Sequence, residues 1–107
     1  MITHDVVKEA VDRLVKAYSP MSIYLYGSYL HEKPDWDDDL NMLVVVESSN
    51  QKAYKRSHKA FDALLGLDVP TNITVFTKEE FDTFSRDVTS LTHEVKTKGK
   101  VVYARGE

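Results

Sequence analysis

The chain has 107 residues, 42% of them hydrophobic and 29% charged, with a formal net charge of -3 and no cysteine. That length supplies one hydrophobic core and not two, so residues 1–107 are read as a single domain, and the missing thiols exclude disulfides, thiolate metal sites and a cysteine nucleophile. The acidic balance excludes a general electrostatic pull toward nucleic acid or anionic lipid, and no apolar stretch is long enough to span a bilayer.

Neither nucleic acid nor membrane is therefore expected as a partner. The opening "MITHDVVKEAVDRL" carries acids among its apolar residues, unlike a signal peptide, and the expected location is the cytoplasm. In that segment Ile2, Val6, Val7, Ala10, Val11, Leu14, Val15 and Tyr18 recur at helical spacing, which predicts an amphipathic helix that stops before Ser19-Pro20. "SIYLY" then alternates and is rich in β-branched and aromatic residues, a strand ending where Gly27 allows a turn. After a polar loop, "LNMLVVVE" is apolar enough for a central strand buried on both faces.

A second long helix is predicted over 51–65, with Ala53, Tyr54, Ser57, Phe61, Leu64 and Leu65 on its packing side and Gly66 just past its end. "TNITVFT" reads as a third strand, and Thr77 with Glu80 has the spacing of a capping box opening a helix that contains Phe81 and Phe84. Val88, Leu91 and Val95 predict a last helix ending at Lys96, Lys98 and Gly99, before a short strand, "KVVYA". The fold class is therefore α/β: a mixed sheet of about four strands packed with helices. The sheet is expected to be mixed because the connection from 27 to 39 is too short for a right-handed helical crossover. Strand order is not legible at this level.

Chemistry concentrates between residues 24 and 47. Gly27-Ser28 at a strand end offers backbone N–H groups and a hydroxyl to an anion, the usual means of holding phosphate. An acidic run, "DWDDD", leads into the next strand, where carboxylates at alternate positions share a face and suit Mg²⁺.

The spacing of Gly27-Ser28, ten residues, then Asp39, Leu40, Asn41 and an apolar strand resembles the signature of the nucleotidyltransferase superfamily, the DNA-polymerase-β-like fold. The likeness is to its small, minimal nucleotidyltransferase branch. "NITVFTKEEF" and "LTHEVKTKGKVVYARGE" resemble that family's third strand with its following helix, and its closing helix, Gly turn and strand, so the resemblance covers nearly the whole chain. It implies a nucleotide-binding pair at Gly27 and Ser28, a nucleoside triphosphate such as ATP, and three strand carboxylates holding Mg²⁺ for transfer of a nucleoside monophosphate to a hydroxyl. It also implies a protein partner of the HEPN type, beside which such proteins act as antitoxins.

Carried over residue by residue, the catalytic carboxylate positions of the resemblance fall on Asp39, Asn41 and Asn72, and only Asp39 is retained. The expectation is a degenerate metal site and a catalytically impaired module that binds a nucleotide or a partner. A second register takes Asp37 and Asp39 as the metal-binding pair of an active Mg²⁺-dependent enzyme, but it puts Asp38 where an apolar residue should pack. Lys52, Lys55, Arg56 and Lys59 are read as the solvated side of their helix, and His4, His31, His58 and His93 lack metal-ligand spacing. Tyr29 and Trp36 flank the loop, where such aromatics pin a chain more often than they stack on a base.

Overall fold

The structure, a computed structural model, describes residues 2–27 and 39–106. Helix α1 spans His4–Tyr18. Thr3 opens it, its hydroxyl accepting from the Val6 N–H at 3.2 Å, and the chain leaves it through Ser19 in a left-handed conformation (φ 46°) before Pro20. Strands β1 (Ser22–Tyr26) and β2 (Leu40–Val46) are followed by α2 (Ala53–Ala63) and β3 (Thr71–Thr77). Helices α3 (Lys78–Phe84) and α4 (Leu91–Lys98) and strand β4 (Lys100–Ala104) complete the described chain.

All four strands form one sheet in the order β3-β2-β1-β4. β1 pairs antiparallel with β2 and with β4, whereas β2 and β3, joined through α2, run parallel. The predicted mixed sheet and its eight elements are thus found in the predicted order.

Alternation along β2 divides the core. Leu40, Met42, Val44 and Val46 pack with Val7, Ala10, Val11 and Leu14 of α1 and with Ala60 of α2 on one face. Leu43 and Val45 face the other way, onto Phe81 of α3 and Val95 of α4. β2 is therefore buried on both sides, as its run of valines predicts. Phe81 stacks on Tyr24, with ring centroids 5.3 Å apart, and seats α3 on the sheet.

Two expectations are corrected. Of the residues expected to pack, Leu64 is buried, but Tyr54, Phe61 and Leu65 are 66%, 72% and 62% exposed, and Arg56 and Ala60 face inward in their place. Arg56 is thus buried and does not belong to the solvated basic side. Its guanidinium clamps Glu80 at 2.5 and 3.3 Å and donates to the Gln51 carbonyl at 3.2 Å. Glu80 in turn accepts from the Thr77 N–H while the Thr77 hydroxyl accepts from the Glu80 N–H, which is the predicted capping box. The clamp ties α2 to the start of α3 and fixes which way α2 rolls. It holds the Glu80 carboxyl below the usual carboxylate range, chiefly through the Arg56 hydrogen bond.

The second correction concerns Val88, which lies in the turn before α4 and is exposed. That turn is closed locally: the Asp87 carboxylate accepts from the Thr89 N–H and hydroxyl, and the Ser90 hydroxyl then caps α4 by accepting from the His93 N–H. No helix among the described residues is long and apolar enough to cross a membrane.

Candidate functional site

Register builds the site. In the parallel pairing of β2 with β3, Asn41 stands opposite Asn72 and Leu40 opposite Thr71, so the two asparagines share a face. Counting back by two from Leu43 puts Asn41, and then Asp39, on the α3 and α4 side of the sheet. The Asn72 Nδ2 donates to Asp39 Oδ2 at 2.7 Å and to Asn41 Oδ1 at 3.1 Å. The antiparallel pairing of β1 brings Tyr26 opposite Asn41, and at the next residue, Gly27, the chain turns with φ +87°. The backbone angle at Gly27 favours glycine, and a Cβ there would stand 2.6 Å from Asn41 Nδ2 and displace that amide.

Four of the site residues expected from sequence, Gly27, Asp39, Asn41 and Asn72, therefore meet at one end of the sheet. Ser28 and Asp37 lie outside the described residues, as do His31, Tyr29 and Trp36. His4 and His93 stand elsewhere, His4 in a cleft between α1 and β4 and His93 with its Nδ1 2.9 Å from the Ser85 carbonyl oxygen.

The chemistry of this cluster follows from its donors and acceptors. One amide group, that of Asn72, bridges a carboxylate oxygen and an amide oxygen. Turning that amide over would set its oxygen against the Asp39 carboxylate, two acceptors face to face, so charge selects the bridging orientation. A hydrogen bond to a charged group contributes about 1.5–3 kcal/mol, enough to hold the arrangement at an exposed strand edge.

A pair of divalent cations needs several anionic oxygens, and among the described residues of this cluster Asp39 brings the single carboxylate, with the Asn72 nitrogen turned toward it. Among the described residues no group of three or more His, Asp or Glu could hold a metal ion. What the cluster does offer is a donor: Asn41 accepts through Oδ1 and points its NH₂ toward Gly27, where a carboxylate would have repelled an anion.

On the other face of β3 lies a feature that the sequence reading did not find. A cleft of about 290 Å³ opens between Ser57, His58 and Phe61 of α2 and Thr71, Asn72 and Ile73 of β3. Helical spacing placed Phe61 on a packing face and treated His58 as a surface or packing residue. The roll of α2 set by buried Arg56 was the missing signal.

Comparison with known proteins gives the fold a counterpart. No family model matches the sequence, and no curated protein matches it. Among solved structures, the chain is similar to the 1.40 Å crystal structure of a protein from Sulfolobus solfataricus named "putative nucleotidyltransferase". The TM-score is 0.65, with 94% of this chain and 79% of that one covered at 16% identity. The chain has a nucleotidyltransferase-like fold.

Proposed function

We propose that this protein is a nucleotide-binding module, acting in the cytoplasm, in which an amide network replaces the metal cluster of a nucleotidyltransferase-like fold and transfer chemistry is correspondingly impaired. The observation that supports this reading is the Asn72 amide bridging Asp39 and Asn41. Two of the three positions at which the family resemblance implies carboxylates are neutral. Each missing charge about 4 Å from a cation is worth on the order of 4 kcal/mol at an effective dielectric near 20, before solvent and relaxation reduce it. About 1.4 kcal/mol is tenfold, so the loss weighs heavily on metal affinity and on any catalysis that needs the metal.

Binding itself gains from the change. With an amide at 41, Gly27 faces a donor rather than a negative charge, and phosphate oxygens of a nucleotide can be held directly. ATP is the nucleotide with which to begin. Calorimetric titration of ATP into the wild-type protein and into Ser28→Ala is expected to give saturable heat that weakens at least tenfold in the variant. No heat in the wild type would overturn the nucleotide reading.

A second reading, a docking role for a HEPN-type protein partner in an antitoxin-like manner, is favoured by Tyr54 of α2 and Leu65 in the turn after it, large apolar side chains that are exposed. Copurification with such a partner, lost in a Tyr54→Ser/Leu65→Ser variant, would support it. Metal-dependent incorporation of a nucleoside monophosphate by the wild type, abolished by Asp37→Ala, would instead establish an active enzyme using Asp37 and Asp39.

A further inference from the structure

We infer that α2 is the contact surface of a homodimer, in which it packs antiparallel against α2 of a second copy of this chain. The inference does not depend on nucleotide binding, and it gives the exposed side of α2 a different occupant from the protein partner considered above. The first observation is an apolar stripe. Tyr54, His58 and Phe61 follow at intervals of four and three along α2, and Leu65, in the turn after it, prolongs the line. Tyr54, Phe61 and Leu65 are thus exposed in a row rather than scattered, and large apolar side chains aligned on a surface mark a docking face.

The second observation is charge, and it names the occupant. α2 has no acid in its first turn and no base in its last. It carries Lys52 and Lys55 at its amino end and Asp62 near its carboxyl end, so that each charge opposes the helix dipole. Among the described residues, neither Lys55 nor Asp62 is in an ion pair that would offset this. Lys59, by contrast, is turned toward α1, its Nζ 5.6 Å from the centre of the Tyr18 ring. An arrangement unfavourable in a lone helix becomes favourable beside an antiparallel copy, where Lys55 meets Asp62 of the second chain and the two dipoles oppose each other.

The third is symmetry. Tyr54 lies four residues before His58 and Phe61 three after it, while Lys55 lies three before and Asp62 four after. A two-fold axis passing near His58 therefore sets Tyr54 of each copy against Phe61 of the other, and Lys55 of each against Asp62 of the other. Lys55 and Asp62 are about two turns apart and so share one flank of the stripe, as an antiparallel pair requires. A parallel pairing would instead set Lys55 against Lys55.

Sedimentation equilibrium of the purified chain across the micromolar range tests the pairing. The wild type is expected to form a species of twice the 12.2 kDa chain mass, and Phe61→Asp to weaken that association at least tenfold. Lys55→Glu and Asp62→Lys each put like charges at both contacts and are expected to weaken self-association about tenfold. An equimolar mixture of the two restores opposite charges at both contacts and is expected to associate within twofold of the wild type. Recovery in the mixture also shows that both variants fold. A wild type that stays monomeric would overturn the homodimer and leave the stripe to a partner of another kind. A dimer that Phe61→Asp or the charge variants leave unchanged, or one that the mixture fails to restore, would overturn the antiparallel α2 contact.

Discussion

Asn41 sits between two constraints that meet on its side chain: its oxygen accepts from Asn72, and its nitrogen occupies the space that a side chain at position 27 would need. Gly27→Ala therefore strains the backbone at φ +87° and drives a methyl group into the amide. The expected loss is about 1–3 kcal/mol, the sum of a left-handed penalty and local overpacking, read from urea denaturation. Asn41 should lose its hydrogen bond in the same variant, visible in its side-chain amide signals. At this scale the sequence was informative, because the spacing from Ser28 to Asp39 and the apolar residue between Asp39 and Asn41 located residues that the structure brings within hydrogen-bond reach. What it could not show was that the amides satisfy one another. That depends on the pairing of β2 with β3, two strands separated by a helix.

Among the elements, α2 is where periodicity misled. Its apolar residues Tyr54 and Phe61, with Leu65 in the turn after it, follow helical spacing, and burial of the largest apolar side chains is the natural expectation. A buried ion pair outweighed it: Arg56 reaches across to Glu80, and turning the apolar side inward would leave that guanidinium without a partner or expel it. Arg56→Met is expected to destabilise the protein by about 2 kcal/mol in chemical denaturation, and to loosen the start of α3, seen as faster amide exchange at Glu80 and Phe81. Glu80 also sets a pH dependence. Its carboxyl is held below its ordinary range in the folded state, so the stability it contributes is present above about pH 4.3, the unfolded-state value, and is lost as pH falls through the lower folded-state value. Between pH 7 and pH 3 the wild type should therefore lose more stability than Arg56→Met does, measured by urea titrations at each pH.

For the whole molecule, strand order was the part hidden from the sequence. Local signals, namely the Ser19-Pro20 stop, the Thr77 capping box and the run of valines in β2, placed eight elements in order, and the short link from β1 to β2 called for a mixed sheet. Nothing local says that β4 returns to pair with β1 and leaves β3 at the edge, since that choice is made by the two cores closing on opposite faces of β2. The arrangement has a functional consequence, for it exposes the edge on which Asn72 stands. The central claim is that amides have replaced the metal centre at that edge, and the direct measurement is Mn²⁺ binding followed by electron paramagnetic resonance in the wild type and in Asn41→Asp/Asn72→Asp. The account predicts weak binding by the wild type and affinity at least tenfold higher in the double variant, as two carboxylates return beside Asp39. Wild-type affinity equal to that of the double variant would contradict it, and would mean that the protein holds its metal without those two carboxylates.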